Sequence, residues 1–202
     1  MTARVPRGQA RRRLLDQALR LFREKGYGAT SVDDLCAAAG VTKGAFFHSF
    51  PNKQALGCAA MQHWAEVTDG LFDHADYHAH PDPLDRVLAY LDLRRDLVRG
   101  KAAEYTCVAG TVVQEIHATH PAIRQAAGQT IRGGAGHVEA DLALALTRHP
   151  VPGISAESLS LHVQAVIQGA LVMAKSQDDP ALAVQSVDHL ARYIRLLFGR
   201  AE

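Results

Sequence analysis

Between Ser31 and Phe50 the chain carries two short apolar-periodic segments separated by one tight turn, and this spacing limits the possible fold more than any other feature. Ser31 is a good helix N-cap, and Asp34 stands three residues on, where a capping box places its acidic partner. Leu35, Cys36 and Ala39 give the first segment an apolar face, and Gly40 ends it after two turns. Val41 bridges, Thr42 can cap a second short helix through Phe50, and Pro51 breaks the chain. In that second helix Phe46 and Phe50 share a face at i and i+4, which turns Thr42, Lys43, Phe47 and His48 outward. Leu35, Ala39, Val41, Phe46 and Phe50 then set the angle between the helices, and small Ala38, Ala39 and Gly40 allow a close crossing. Two short helices joined in this way form the unit that lays one helix in the DNA major groove.

The rest of the chain also reads as helix. Residues 9–25 place Leu15, Leu19 and Phe22 on one stripe, and Gly26 follows as a stop. After Pro51 a long helix runs from Asn52 to about residue 75, followed by a polar loop, HADYHAHPDP, over 74–83. Helical patterns resume over 83–99, 101–118, 121–148, 155–176 and 180–198, separated by Gly100, Pro121, the HPVPG turn and Pro180. No strand-like alternation and no repeat interrupts them. The expected architecture is all-α: a three-helix, helix-turn-helix head over 1–53 and a six-helix body over 54–202.

Charge divides at the same place. Residues 1–53 carry ten Lys and Arg against four Asp and Glu, a net +6, whereas 54–202 carry twelve against seventeen, a net −5. Concentrated positive charge suits a phosphate backbone, although a solvated basic tail would give the same balance. No apolar run approaches the ~20 residues of a membrane span, so no membrane partner is expected. The arginines at 4, 7, 11, 12 and 13 precede no apolar signal segment, which points to a cytoplasmic protein. Cys36, Cys58 and Cys107 are odd in number and widely spaced, unlike a disulfide framework or a CxxC zinc site. No nucleophile elbow, HExxH, P-loop or dinucleotide fingerprint is present, and neither catalysis nor a cofactor is expected.

The stretch FREKGYGATSVDDLCAAAGVTKGAFFHSFPNKQAL resembles the DNA-binding signature of the TetR (tetracycline repressor) family, and the likeness covers about residues 10–56. It implies a dimeric repressor that binds double-stranded operator DNA and is released by a small-molecule effector. Carried over residue by residue, the resemblance gives Ser31 and the amides after it a phosphate, held by the positive end of the helix. Thr42, Lys43, Gly44 and Ala45 would open the recognition helix against base edges and nearby phosphates; His48 and Lys53 would touch the backbone. Phe47 departs from the family, which usually has tyrosine there, and so loses a polar contact to phosphate. The CVAGTVVQEI stretch is similar to a subgroup whose members sense electrophiles or small unsaturated acids.

In the body, the resemblance implies a four-helix bundle across a two-fold axis built from the last two helices. Val163, Val166, Gly169, Ala170 and Met173 on one, with Leu190, Ile194 and Leu197 on the other, are the expected interface residues; ordinary core would show the same stripes. Trp64, Tyr105, Cys107, Gln114 and His117 are the expected lining of an effector pocket. Cys107 suits either an oxidisable switch or plain packing. Three glycines within Arg132–Gly136 mark a kink or a place where something packs on backbone. Two other functions stay open at this point: a metal-binding protein or enzyme using His74, His78 and His80, and an adaptor that no longer binds DNA.

Overall fold

The structure, a computed structural model, describes residues 7–200, with Arg7 described in its backbone alone. Arg4, counted above in the basic head, lies outside the described residues. Among those described there are ten α-helices and no strands: α1 (Arg7–Lys25), α2 (Val32–Ala39), α3 (Lys43–Ser49), α4 (Lys53–Phe72), α5 (Pro83–Asp96), α6 (Ala102–Tyr105), α7 (Val108–Ile116), α8 (Pro121–Arg148), α9 (Ala156–Gln177) and α10 (Ala181–Leu197). The all-α class matches the expectation. One predicted helix, 101–118, is instead two, because Thr106 and Cys107 are extended (ψ 152° and 122°). Cys107 Sγ accepts the Gly110 amide at 3.4 Å and so caps α7. The 74–83 loop contains a 3-10 turn (Asp76–Ala79) that buries Tyr77.

Contacts divide the chain into two compact units, residues up to 67 with 107–130, and 68–106 with 131 onward. In the first, α1 turns Leu14, Ala18, Leu19 and Phe22 into a core shared with Leu35, Phe46, Phe50, Leu56 and Met61. The segment 107–130 belongs to this unit and adds Val108, Val112, Ile116 and Ile123 to its buried residues. Both short helices begin as their sequences dictate. Ser31 and Asp34 form the capping box of α2, and Thr42 Oγ1 accepts the Ala45 amide at 3.2 Å to cap α3. Gly40, at φ +63°, closes α2 in a left-handed conformation that a side chain would resist.

In the second unit, α5 starts at the N-cap Asp82 with Pro83 in its first turn. Arg86 and Asp141 form a largely buried ion pair at 2.7 Å that ties α5 to α8. Gly134 answers for one of the three clustered glycines: a Cβ there would lie 3.0 Å from Gln164 Nε2, so the glycine admits α9 against α8. Gly133 and Gly136 would meet nothing within 4 Å.

Burial divides the residues of the expected dimer stripe. Val163, Ala170, Leu190 and Ile194 are buried within the chain's own core, where α9 and α10 pack on each other. Val166 and Leu197 are half-buried, and Gly169 and Met173 are exposed. The outward face of these helices carries Val172, Met173, Tyr193 and Leu196, the last 76% exposed.

Candidate nucleic-acid interface

The candidate interface is the outer surface of α2 and α3. Phe46 and Phe50 are buried beneath α3, their rings 6.0 Å apart, while Leu35 and Ala39 are buried beneath α2. This packing leaves Thr42, Lys43, Gly44, Phe47 and His48 exposed and Ala45 half-buried. Phe47 is 55% exposed, one of several large apolar side chains left at the surface among the described residues. At its base it meets Phe46 edge-on at 5.2 Å. Gly44 would tolerate a Cβ, whose nearest neighbour would be Thr42 Oγ1 at 3.8 Å, so steric room within the chain does not require it.

Charge on this surface is paired locally. Lys43 Nζ lies 2.8 Å from Asp33 Oδ1 across the turn, both side chains well exposed. The Asp33 carboxylate raises the Lys43 pKa, first through their hydrogen bond and then through charge. Lys25 Nζ sits 2.8 Å from Asp34 Oδ2, which also accepts the Ser31 amide and hydroxyl at 2.8 Å each. The Lys25 ammonium, then the Ser31 donors, hold the Asp34 carboxyl far below the usual carboxylate range. Ser31, expected to hold phosphate, thus has its hydroxyl engaged by Asp34 in the unbound protein. Arg11, at the start of α1, reaches the end of α3: its Nη1 donates to Ser49 O at 3.0 Å, and its guanidinium lies over the Phe50 ring at 4.3 Å.

Lys53 does not point outward as the resemblance implies. Its ammonium donates to the carbonyls of Tyr27 at 3.0 Å and Thr30 at 2.9 Å, and stands 4.3 Å from the Tyr27 ring centroid. Burial lowers its pKa, opposed by the charge of Glu115. Glu115, on α7, is a residue that spacing alone misses. Its two carboxylate oxygens accept the amides of Tyr27 and Gly28, each at 2.7 Å. The glycines flanking Tyr27 are the trace it leaves in the sequence, since a Cβ at Gly26 or Gly28 would lie 2.8 or 2.5 Å from that carboxylate.

The five residues expected around an effector are spread over α4, α6 and α7 with its caps. Trp64 lies beneath the Arg23 guanidinium at 5.0 Å. Cys107 and Gln114 both bond Gly110, the thiol accepting its amide and Gln114 Nε2 donating to its carbonyl at 2.9 Å. His117 is exposed at the end of α7. Tyr105 holds a buried hydroxyl with no hydrogen-bond partner among the described residues. The histidine loop does not converge on an ion: His74 Nδ1 bonds Gly70 O at 3.2 Å and His78 Nε2 bonds Phe72 O at 3.0 Å. Among the described residues no group of three His, Cys, Asp or Glu is placed to hold a metal, and no helix is long and apolar enough to cross a membrane.

Comparison with known proteins matches two stretches of the chain to models of one family. Residues 14–59 match the model of bacterial regulatory proteins of the tetR family, and residues 83–190 match the tetracyclin repressor-like C-terminal domain. The transcriptional regulator AcuR of Cereibacter sphaeroides is 29% identical over 109 residues, 54% of this chain and 50% of that protein. The transcriptional repressor DhaR of a Mycobacterium species is 38% identical over 60 residues, 30% of this chain and 29% of its own. The matched region thus spans half or less of these relatives' length. A crystal structure of a TetR-family regulator from Agrobacterium tumefaciens superimposes with a TM-score of 0.81, covering 93% of this chain and 98% of that one at 18% identity.

Proposed function

From a chain that belongs to the TetR family of bacterial regulatory proteins, we infer a transcriptional repressor that binds operator DNA through α2 and α3 and leaves it when a small effector binds the body. The observation that carries this reading is the exposed row Thr42, Lys43, Gly44, Phe47 and His48, held outward by the buried Phe46 and Phe50. Thr42 and Lys43 at the start of α3 suit base edges and phosphates, and Phe47 suits a thymine methyl or a sugar. Ser31 and Ala45 complete the surface in this reading, Ser31 by exchanging its Asp34 contact for a phosphate oxygen. Lys53 is left out of the DNA contacts, because its ammonium is already bound by carbonyls.

Two-fold pairing follows from the geometry of palindromic sites, whose half-sites repeat about every 34 Å. The exposed apolar face of α9 and α10, with Val172, Met173, Tyr193 and Leu196, is the surface proposed to meet a second copy. Residues 1–53 read DNA in this scheme, and 54–202 pair the subunits and take the effector. The effector acts by binding the DNA-competent and DNA-incompetent conformations with different affinity.

A gel shift using DNA upstream of the protein's own gene tests the reading. Specific binding that weakens steeply as salt rises is expected. Absence of a shift at low salt rules the reading out and leaves the adaptor role.

A further inference from the structure

The loop joining α1 to α2 is gripped from both electrical poles. Its amides at Tyr27 and Gly28 point at one carboxylate, Glu115, and its carbonyls at Tyr27 and Thr30 receive one ammonium, Lys53. Two successive backbone N–H groups aimed at one point form an anion-binding concavity, here filled by a side chain of the same chain. Gly26 stands at φ +88°, and neither Gly26 nor Gly28 could carry a Cβ without displacing that carboxylate. The Tyr27 ring between them is wedged by Phe22 at 5.4 Å and by His120 at 5.1 Å, both edge-on. Gly57 admits it from α4, since a Cβ there would press on Tyr27 at 3.0 Å and on Ile123 at 2.9 Å, well inside van der Waals contact.

The loop leads straight into the interface. Thr30, fully buried, donates its hydroxyl to Gly26 O at 2.7 Å, and the next residue is the N-cap of α2. Whatever sets the loop therefore sets where α2 begins, and α2 with its Gly40 turn carries α3. We propose that Glu115 is a positioning residue for operator recognition: by filling the amide pair of Tyr27 and Gly28 it fixes the entry of α2 and thereby aims the Thr42–His48 row. The proposal rests on the DNA-binding reading above. It separates two kinds of binding. Base readout needs the row in register, whereas phosphate attraction to arbitrary duplex does not.

The test measures fluorescence-anisotropy affinities of the full chain for its upstream duplex and for an unrelated duplex of equal length. Glu115→Ala and Glu115→Gln are expected to bind the upstream duplex about tenfold more weakly, the scale of losing charge-assisted hydrogen bonds, with the unrelated duplex unchanged. In Glu115→Gln one amide keeps its acceptor and the other faces an NH2 donor, so this variant fails without leaving a void. In Glu115→Ala, acetate is expected to recover part of the lost affinity that chloride at equal ionic strength does not. Gly28→Ala pushes the carboxylate out without deleting it, so it should reproduce the loss and add nothing in combination with Glu115→Ala. Unchanged upstream binding in both Glu115 variants overturns the proposal. So does an equal loss for both duplexes, which would make Glu115 a support of the fold alone. A wild-type chain that ignores its upstream duplex overturns the DNA-binding reading instead, so the two failures are distinct.

Discussion

The ammonium of Lys53 and that of Lys43 lie in the same compact unit yet have opposite surroundings. Lys53 is held by carbonyls and a ring, whereas Lys43 has one exposed carboxylate partner, 2.8 Å away. An exposed pair of this kind is worth little and yields readily to a phosphate. Lys43→Met is therefore expected to lower the salt dependence of DNA binding by about one released counterion and to leave thermal stability nearly unchanged. Lys53→Met should do the reverse, lowering the unfolding midpoint while the salt slope stays as in the wild type. Phe47→Tyr should change unfolding free energy by less than about 0.5 kcal/mol, as surface substitutions do, and should hold or improve operator affinity. A large stability loss on denaturant titration would mean that the ring is buried on binding-independent grounds. Which face of α3 points outward was legible from the spacing of Phe46 and Phe50. The destination of Lys53 was not, because a four-carbon stem reaches inward or outward equally well and only the packed loop chooses.

At the scale of the element, the short head helices were readable because each end is written by a local rule: a capping serine or threonine at each start, left-handed Gly40 after α2, and extended Phe50 before Pro51 after α3. The break between α6 and α7 follows no such punctuation. Thr106 and Cys107 are neither Gly nor Pro, and a thiol is a weak cap, so the periodicity runs through while the backbone does not. The inward stripe of α9 and α10 shows a related limit. A regular apolar row reads the same whether it meets another helix of its own chain or a second copy, and here Val163, Ala170, Leu190 and Ile194 meet their own. The glycines of α8 provide a measurable contrast. Gly133→Ala and Gly136→Ala should each raise stability by up to about 1 kcal/mol through helix propensity. Gly134→Ala should give none of that gain, since its Cβ would press on Gln164 at 3.0 Å. Chemical denaturation of the three variants checks the pattern.

For the molecule as a whole, stability should depend on pH through His137. Its side chain is 8% exposed, Nε2 lies 3.3 Å from Asp69 Oδ1, and the Phe72 ring lies tilted against it at 4.8 Å. Burial, outweighing the carboxylates of Asp69 and Asp73 and aided by Arg94 and His78, lowers its pKa below the ordinary value. The unfolded chain thus binds this proton more readily than the folded one. The stability tied to neutral His137 is present above about pH 6.5 and is lost as pH falls below it. Comparing wild-type and His137→Phe denaturation from pH 7 to 5 should show the variant's acid limb flattened. Lys25 and Lys43 are occupied by Asp34 and Asp33, Arg20 by Glu24, and Lys53 by backbone. In the proposed DNA-binding reading each exposed pair must open before its cation meets a phosphate, so engagement of a duplex is expected to include a step of partner exchange.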